Sequence, residues 1–305
     1  MEEAMLTVII CTYNRAKYIG NLLESIAAND LEKSEYEIVL VDNNCTDNTR
    51  EICEAFAEAH KDVQFRYTQE SEQGLSAARN RGIKEAKGDI LVYIDDDALV
   101  DAWYLRTIAE YMAEHKEIDA VGGPIIPLYE TKEPKWMALH TRELITGYLY
   151  QGEKIGPFIK RYPGGGNAAF RASVFQQIGL FNTDLGRKGN GLMGSEEKDI
   201  FDKMHAQNMQ VRYLPKMILH HIIPQKKLEQ DYFDRLTLQI GISERQRTLA
   251  IGKGKYLKRL GAEFIKWCGT IVLLCLYTIS FHPMKGWKLI QFRYNVTMGL
   301  LGFCG

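Results

Sequence analysis

The first 126 residues alternate short apolar runs with amphipathic helical segments, and that order leaves few folds open. Residues 6–11, 37–41, 63–68, 89–94 and 120–126 read as strands, and 17–28, 47–60, 75–86 and 103–115 as helices. The run Ile90-Leu91-Val92-Tyr93-Ile94 is continuously apolar after the turn Lys87-Gly88-Asp89, the pattern of a strand buried on both faces. In the first helix Ile19, Leu22, Leu23 and Ile26 fall on one face; in the second Ile52, Ala55, Phe56 and Ala59 do. Strand and helix in strict alternation predict a mostly parallel, doubly wound α/β sheet. Beyond residue 128 the pattern loosens into loops, with glycines at 164–166 and within 186–194. Short helices are expected around 171–179 and 196–207, and short strands at 210–214 and 218–223. After Pro224 the chain reads as all-helical, over 228–250, 256–281 and 287–303. The expected division is a sheet domain over 1–225 and a helical extension over 226–305.

The net charge of −1 conceals an asymmetry. From residue 225 onward there are 13 Lys/Arg against 5 Asp/Glu, which leaves 25 against 34 before it. An acidic body with a basic tail points to an anionic membrane surface as the tail's partner, with no role for nucleic acid. Residues 267–281 carry no charge. As a helix they would reach about 22 Å, short of the ~30 Å hydrocarbon core. A second apolar stretch, 289–303, is broken by Arg293 and Asn295, and Lys253, Lys255, Lys258, Arg259, Lys285 and Lys288 flank the two. The expectation is an interfacial or shallowly inserted hairpin, peripheral or monotopic at the inner face of the cell membrane. An ordinary core helix is the alternative. The start, Met1-Glu2-Glu3-Ala4-Met5, lacks the features of a secretory signal, and the cysteines at 11, 45, 53, 268, 275 and 304 show no CxxC spacing. Reduced thiols in a cytoplasmic protein are expected.

Three aspartates, Asp95, Asp96 and Asp97, end the strand at 94. Residues two apart on a strand share a face, so Asp95 and Asp97 are expected to converge at its carboxyl end, where open α/β sheets bind ligands. Paired carboxylates suit Mg²⁺ or Mn²⁺ with substrate phosphates; a solvated acidic loop is the alternative. Thr12-Tyr13-Asn14-Arg15 and Asp42-Asn43-Asn44 leave the first and second strands at the same end. An aspartate after strand two can accept hydrogen bonds from a base or ribose, although Thr12 and Asp42 also suit caps and turns.

The ordered set Val8 to Arg15, Val41-Asp42-Asn43, Gly74 to Gly82, Ile94 to Asp97, Gly165-Gly166-Asn167, Phe170 to Phe181 and Gly194-Ser195-Glu196-Glu197 resembles the inverting family 2 glycosyltransferases, of bacterial polysaccharide type, over residues 5 to about 250. The resemblance implies a glycosyltransferase A-type, Rossmann-like domain, a nucleotide-sugar donor with a UDP-sugar foremost, and divalent Mn²⁺ or Mg²⁺. It further implies a saccharide or lipid-linked acceptor. Carried onto this chain, it makes Thr12, Tyr13, Asn14, Arg15 and Asp42 a nucleoside pocket, with Arg79 steadying the nucleotide. Asp95 becomes the ribose- and metal-side residue, Asp97 the direct metal ligand, and His221, three residues before Pro224, the completion of the metal or diphosphate site; His220 is less favoured. Asp96 is expected to face away. The glycines before Asn167 let backbone approach a sugar or acceptor closely, or simply make a tight turn.

Where the family usually has Glu-Asp at a helix start, this chain has Glu196-Glu197. Glu197 takes the place of the usual aspartate as general base, with Glu196 second; acids that merely favour a helix N-terminus are the alternative. Two rival functions share some of these features. A sugar nucleotidyltransferase calls for a glycine-rich phosphate loop after the first strand, and residues 12–17 have no glycine. A non-catalytic nucleotide-sugar-binding protein would not need both acidic pairs.

Overall fold

The computed structural model describes residues 5–158, 162–189, 191 and 194–303; Cys304 lies outside them. The first half runs β1 (Leu6–Thr12), α1 (Ala16–Ala27), β2 (Tyr36–Asp42), α2 (Thr49–Ala59), β3 (Gln64–Gln69), α3 (Leu75–Glu85), β4 (Ile90–Ile94), β5 (Ala98–Val100), α4 (Tyr104–Glu114), β6 (Ala120–Gly122) and β7 (Ile125–Tyr129). Then come α5 (Leu139–Thr146), β8 (Gly156–Pro157), β9 (Asn167–Arg171), α6 (Ala172–Ile178), α7 (Glu196–Ala206), β10 (Val211–Tyr213) and β11 (Leu219–Ile223). Three helices follow: α8 (Gln230–Ile251), α9 (Lys253–Ile279) and α10 (Pro283–Leu301).

The main sheet has the order β3-β2-β1-β4-β9-β6-β10-β8, and β5-β11-β7 form a second, smaller one. The block β3-β2-β1-β4 is parallel, as the alternating pattern requires. The expected α/β class and helical C-terminal region hold. One difference is that β9 runs antiparallel between β4 and β6. Its sequence, Asn-Ala-Ala-Phe-Arg, has no β-branched residue, so pairing on both sides rather than propensity makes it a strand. A second difference is that the expected strand 120–126 splits in two. At Gly123 the chain passes so close to Met217 that an added Cβ would lie 2.1 Å from its carbonyl oxygen, and Pro124 has no N–H for a ladder.

Alternation along β1 divides the core. Leu6, Val8 and Ile10 pack with Ile19, Leu22, Leu23 and Ile108 on one side of the sheet. Ile9, with Leu91 and Tyr93, packs against Phe170, Phe175 and Phe201 on the other. Covering on both sides is why β1, β2 and β4 are apolar over residues 8–11, 38–41 and 90–94. The opposite end of the sheet is tied by a buried carboxylate. Glu37 Oε1 accepts from Thr7 Oγ1 at 2.9 Å and from the Lys87 amide at 2.7 Å, and Glu37 Oε2 pairs with Arg66 at 2.9 Å.

By contacts the chain forms two compact units: Met1–Pro127, Leu149–Thr183 and Glu196–Ile222 make the first, and Leu128–Tyr148, Asp184–Ser195 and Ile223–Gly305 the second. In the second, Met137, Ile145, Phe233 and Leu236 form a small core. Helices α8 and α10 meet at glycine: a Cβ on Gly299 would stand 2.9 Å from Gly241 Cα. Between the helices runs a chain of charge, with Arg259 bridging Glu244 at 3.1 Å and Glu263 at 2.7 Å, and Arg293 reaching Glu263 at 2.8 Å.

Helix α3 lies close on the sheet because of Gly82, where an added Cβ would fall 2.3 Å from Ile9 Cγ2. Gly82→Val should therefore destabilise the protein by about 1–3 kcal/mol through overpacking. The expected reading is a lower urea midpoint with an unchanged m-value; an unchanged midpoint would show that the sheet yields freely there.

Candidate active site

The carboxyl ends of β1, β2 and β4 open side by side, since Thr12 pairs with Asp42 in register and β4 runs parallel to β1. At their centre is Arg79 on α3, 2% exposed. Its guanidinium lies 3.0 Å from Glu196, 3.6 Å from Glu197 and 3.9 Å from Asp95, with the rings of Phe181 and Tyr93 at 5.3 and 5.9 Å. Burial works against its charge, but Glu196, then Glu197 and Asp95, outweigh it and hold the guanidinium protonated. Sequence reading put Arg79 on the nucleotide; the structure puts it beneath the acids.

Glu196 and Glu197 begin α7, and Ser195 before them has φ +78°, a left-handed conformation that costs a non-glycine residue roughly 1 kcal/mol and aims the helix start inward. Glu196 is buried; one oxygen meets Arg79 and the other, Oε2, is buried with no hydrogen-bond partner among the described residues. Glu197 is about one-third exposed at its side chain. The glycine loop lies directly against these acids. A Cβ on Gly165 would fall 2.2 Å from Glu197 Oε1, and one on Gly166 would fall 2.0 Å from Asp95 Cγ. A side chain at either position would push the neighbouring carboxylate aside. Asn167, expected to contact sugar or acceptor, is instead committed to the fold. It is 0% exposed, donates to Pro124 O at 2.8 Å and accepts from Tyr104 at 2.7 Å.

On the β2 side Asp42 accepts from the Tyr67 hydroxyl, from the Cys45 amide at 2.6 Å and from Gln69 at 3.5 Å. Burial pushes its carboxyl up, yet these hydrogen bonds win and hold it below the usual range. Asn43 fastens the next loop: its Nδ2 donates to Glu70 O and Glu72 O at 2.9 and 2.8 Å, and its Oδ1 accepts from Gly74 N at 2.8 Å. Thr12 is buried, Tyr13 half-buried, and exposed Asn14 takes a left-handed φ of 54° while accepting from the Thr46 amide at 2.7 Å. Tyr67 and Asn43 are the supports that sequence reading missed as site residues. Asn43 had a signal in the Asp-Asn-Asn run; Tyr67, two residues before the end of a strand, had none.

The aspartates do not behave as the strand argument expected. β4 ends at Ile94, so the alternation that was to bring Asp95 and Asp97 together stops one residue too early. Asp95 turns to Arg79, whereas Asp96 and Asp97 share Arg15, at 3.5 and 3.6 Å. Asp96 thus does not face away. Burial pushes its carboxyl up to about 7, against the pull of Arg15 and with a further push from Asp97. His221, placed by β11 pairing with β5, meets Asp97 Oδ1 at 3.2 Å, and His220 turns to Asp101 at 2.9 Å. The expected trio Asp95, Asp97 and His221 is therefore a pair plus an outlier. Among the described residues no three His, Cys, Asp or Glu gather as a ready metal cage. The Asp97–His221 pair fits a cation that takes its other ligands from substrate oxygens and water.

A family model for "Glycosyl transferase family 2" matches residues 7–179. A glucosyl-dolichyl phosphate glucuronosyltransferase of Haloferax volcanii is 25% identical over 271 residues, 85% of this chain and 84% of that protein. The succinoglycan biosynthesis protein ExoM of Rhizobium meliloti is 25% identical over 318 residues, 99% of this chain and 94% of that one. Among solved structures, the Pyrobaculum calidifontis mannosyltransferase PcManGT, in complex with GDP-Man and Mn²⁺, superposes with a TM-score of 0.66 at 20% identity, over 99% of this chain and 88% of that one. That likeness speaks for the fold. The family match takes in the strand ends from Thr12 to Asn167, and on it this chain belongs to glycosyl transferase family 2, as a glycosyltransferase of glycan or polysaccharide biosynthesis.

Proposed function

We propose that the enzyme is an inverting transferase that moves a sugar from a nucleotide-diphosphate donor, a UDP-sugar being the first to test, to a hydroxyl of a lipid-linked saccharide at the inner membrane surface. The observation that carries the reaction type is Glu197: a carboxylate about one-third exposed at a helix start, seated between a buried guanidinium and a glycine loop packed against it. Thr12, Tyr13 and Asp42 line the nucleoside side, Asp42 offering an ionised acceptor. Asp97 and His221 would hold Mn²⁺ or Mg²⁺, which when bound neutralises charge on the departing diphosphate. Glu197 accepts the proton of the acceptor hydroxyl as its oxygen bonds to the anomeric carbon. The bond from that carbon to the diphosphate oxygen breaks in the same displacement, and the electron pair leaves with the nucleoside diphosphate. Arg79 and Gly165 fix where Glu197 stands. Support for the donor and metal comes from the GDP-Man and Mn²⁺ of the mannosyltransferase, and for the acceptor from the dolichyl phosphate in the archaeal relative's name.

The membrane part of the reading rests on α9. Its only buried residues are the polar Glu263 and Thr270. Its exposed ones include Leu257, Phe264, Ile265, Ile271, Val272, Leu276 and Ile279. Spacings of three and four put these on one stripe. A stripe of that size facing outward favours lipid, and the nearby Lys253, Lys255, Lys258 and Lys266 favour anionic lipid.

Glu197→Gln should lower turnover by ~10²–10⁴-fold with donor binding intact, and Glu196→Gln should act mainly on stability. Steady-state kinetics beside nucleotide binding check this; near-normal turnover in Glu197→Gln would remove the proposed base. Asp97→Asn should keep the fold and abolish the Mn²⁺ dependence of nucleoside diphosphate binding, read as a thermal shift. Retained Mn²⁺ dependence would move the metal elsewhere. In liposome flotation the wild type should bind anionic vesicles less tightly as salt rises, and the triple variant Phe264→Ser, Ile271→Ser, Ile279→Ser should stay in solution. A triple variant that floats like the wild type would make the stripe irrelevant to the membrane.

A further inference from the structure

The second unit contains two adjoining cavities that the reaction does not use. One, of about 440 Å³, has walls of Trp136, Leu228, Met284 and Trp287 with Lys288 and Gln230 beside them. The other, of about 360 Å³, shares Trp136 and Leu228 and adds Pro134 with Thr131, Lys132, Gln225 and Glu229. Each lies in the ~300–1,000 Å³ range of small-molecule sites. The two adjoin at Trp136 and Leu228.

Lys288 is the unusual group. It is 6% exposed, a state lysines seldom reach without a paired charge. Its ammonium donates to Gln230 Oε1 at 2.5 Å and lies 4.1 and 4.6 Å from the ring centres of Phe233 and Trp136. The acid that it feels, Asp234, is engaged by Asn295 at 2.9 Å and by Gln230 at 2.8 Å. The cation is thus held by an amide and two rings, an arrangement that an anion entering the cavity would complete. The apolar end is exposed: Met284 and Trp287 are both 59% open, and they follow directly on Phe281, 92% open at the end of the α9 stripe. In sequence the α9 stripe and these walls are separated only by the short turn at Phe281–His282.

We propose that this double cavity seats a lipid phosphate, the anchor of the acceptor, with its chain along Trp136, Leu228, Met284 and Trp287, its phosphate at Lys288 and its head toward Lys132 and Gln225. The proposal rests on the reading that the acceptor is lipid-linked. A detached saccharide would gain nothing from two indoles and a buried ammonium. A bilayer phospholipid, with two chains, needs a wider apolar opening than one Trp–Met wall.

The test uses the full-length protein in detergent and a photoreactive farnesyl phosphate analogue, with adducts mapped by peptide mass. Labelling is expected within 128–148 and 283–291, competed by farnesyl phosphate and not by farnesol or inorganic phosphate. Lys288→Met should weaken that competition by about tenfold or more, the effect of losing a charge-assisted contact. Trp287→Ser, at an exposed position that spares the fold, should weaken it too. Equal competition by farnesol, label confined to the outer stripe of α9, or unchanged competition in both variants would overturn the site. So would loss of liposome flotation in Trp287→Ser with competition intact, because the cavity would then serve bilayer anchoring. Nucleoside diphosphate binding, followed as a thermal shift in the same samples, reports on the transferase reading separately. A failed lipid site with intact nucleotide binding leaves that reading standing.

Discussion

A buried guanidinium must be surrounded by anions, and the requirement of Arg79 organises the rest of the site. Removed from water, an unpaired charge costs several kcal/mol even after relaxation. Arg79 meets that cost with Glu196, Glu197 and Asp95, and with two aromatic faces. The dependence runs both ways. Glu196 is a buried carboxylate whose second oxygen has no hydrogen-bond partner among the described residues, so it is tolerable only while Arg79 stands beside it. The start of α7 comes from a chain segment 117 residues away from Arg79. Charge, more than apolar contact, sets where that helix begins.

The second constraint is a surplus of negative charge. Around Arg79 and Arg15 stand five carboxylates: Asp95, Asp96, Asp97, Glu196 and Glu197. Among the described residues, two guanidiniums and His221 stand beside these five acids. Burial first, with a further push from Asp97, raises the Asp96 carboxyl to about 7. A hard divalent cation is one kind of relief for such a surplus, and the Asp97–His221 pair is where the proposed mechanism puts it. A donor diphosphate brings its own negative charge, so it would enter this acid-rich crevice only with compensating positive charge.

These two constraints explain what could be read from the residues and what could not. The parallel block was legible, because strands buried on both faces must be apolar throughout and their helices must alternate three and four. Strand ends were legible for the same reason: Thr12 and Asp42 stand where the apolar runs stop. What failed was the extension of strand geometry past Ile94, since nothing in Asp-Asp-Asp announces which aspartate leaves the ladder. Arg79 was expected to steady the nucleotide; its burial depends on Asp95 and on Glu196 and Glu197, the last two more than a hundred positions away. Asn167 was misread in the opposite sense. A glycine-flanked asparagine suggests a ligand contact, whereas here its amide stitches β9 to Pro124 and Tyr104. β9 itself was invisible for want of β-formers.

The helical unit follows the reverse of a water-soluble design. In α9 a glutamate and a threonine face the neighbouring helices while phenylalanine and isoleucine face out. In water this arrangement would be doubly unfavourable, with charges desolvated inside and large apolar side chains hydrated outside. Next to lipid both terms change sign of effect. The outward residues lose no hydration they would want, and the inner chain Glu244–Arg259–Glu263–Arg293 satisfies charges that hydrocarbon could not. The glycine contact between α8 and α10 fits the same logic, since helices that gain little from apolar burial need close backbone approach to hold together. Inverted polarity, glycine packing and a basic flank in the same helices are what the proposed lipid-facing surface would require: an outer face suited to lipid and an inner face complete without it.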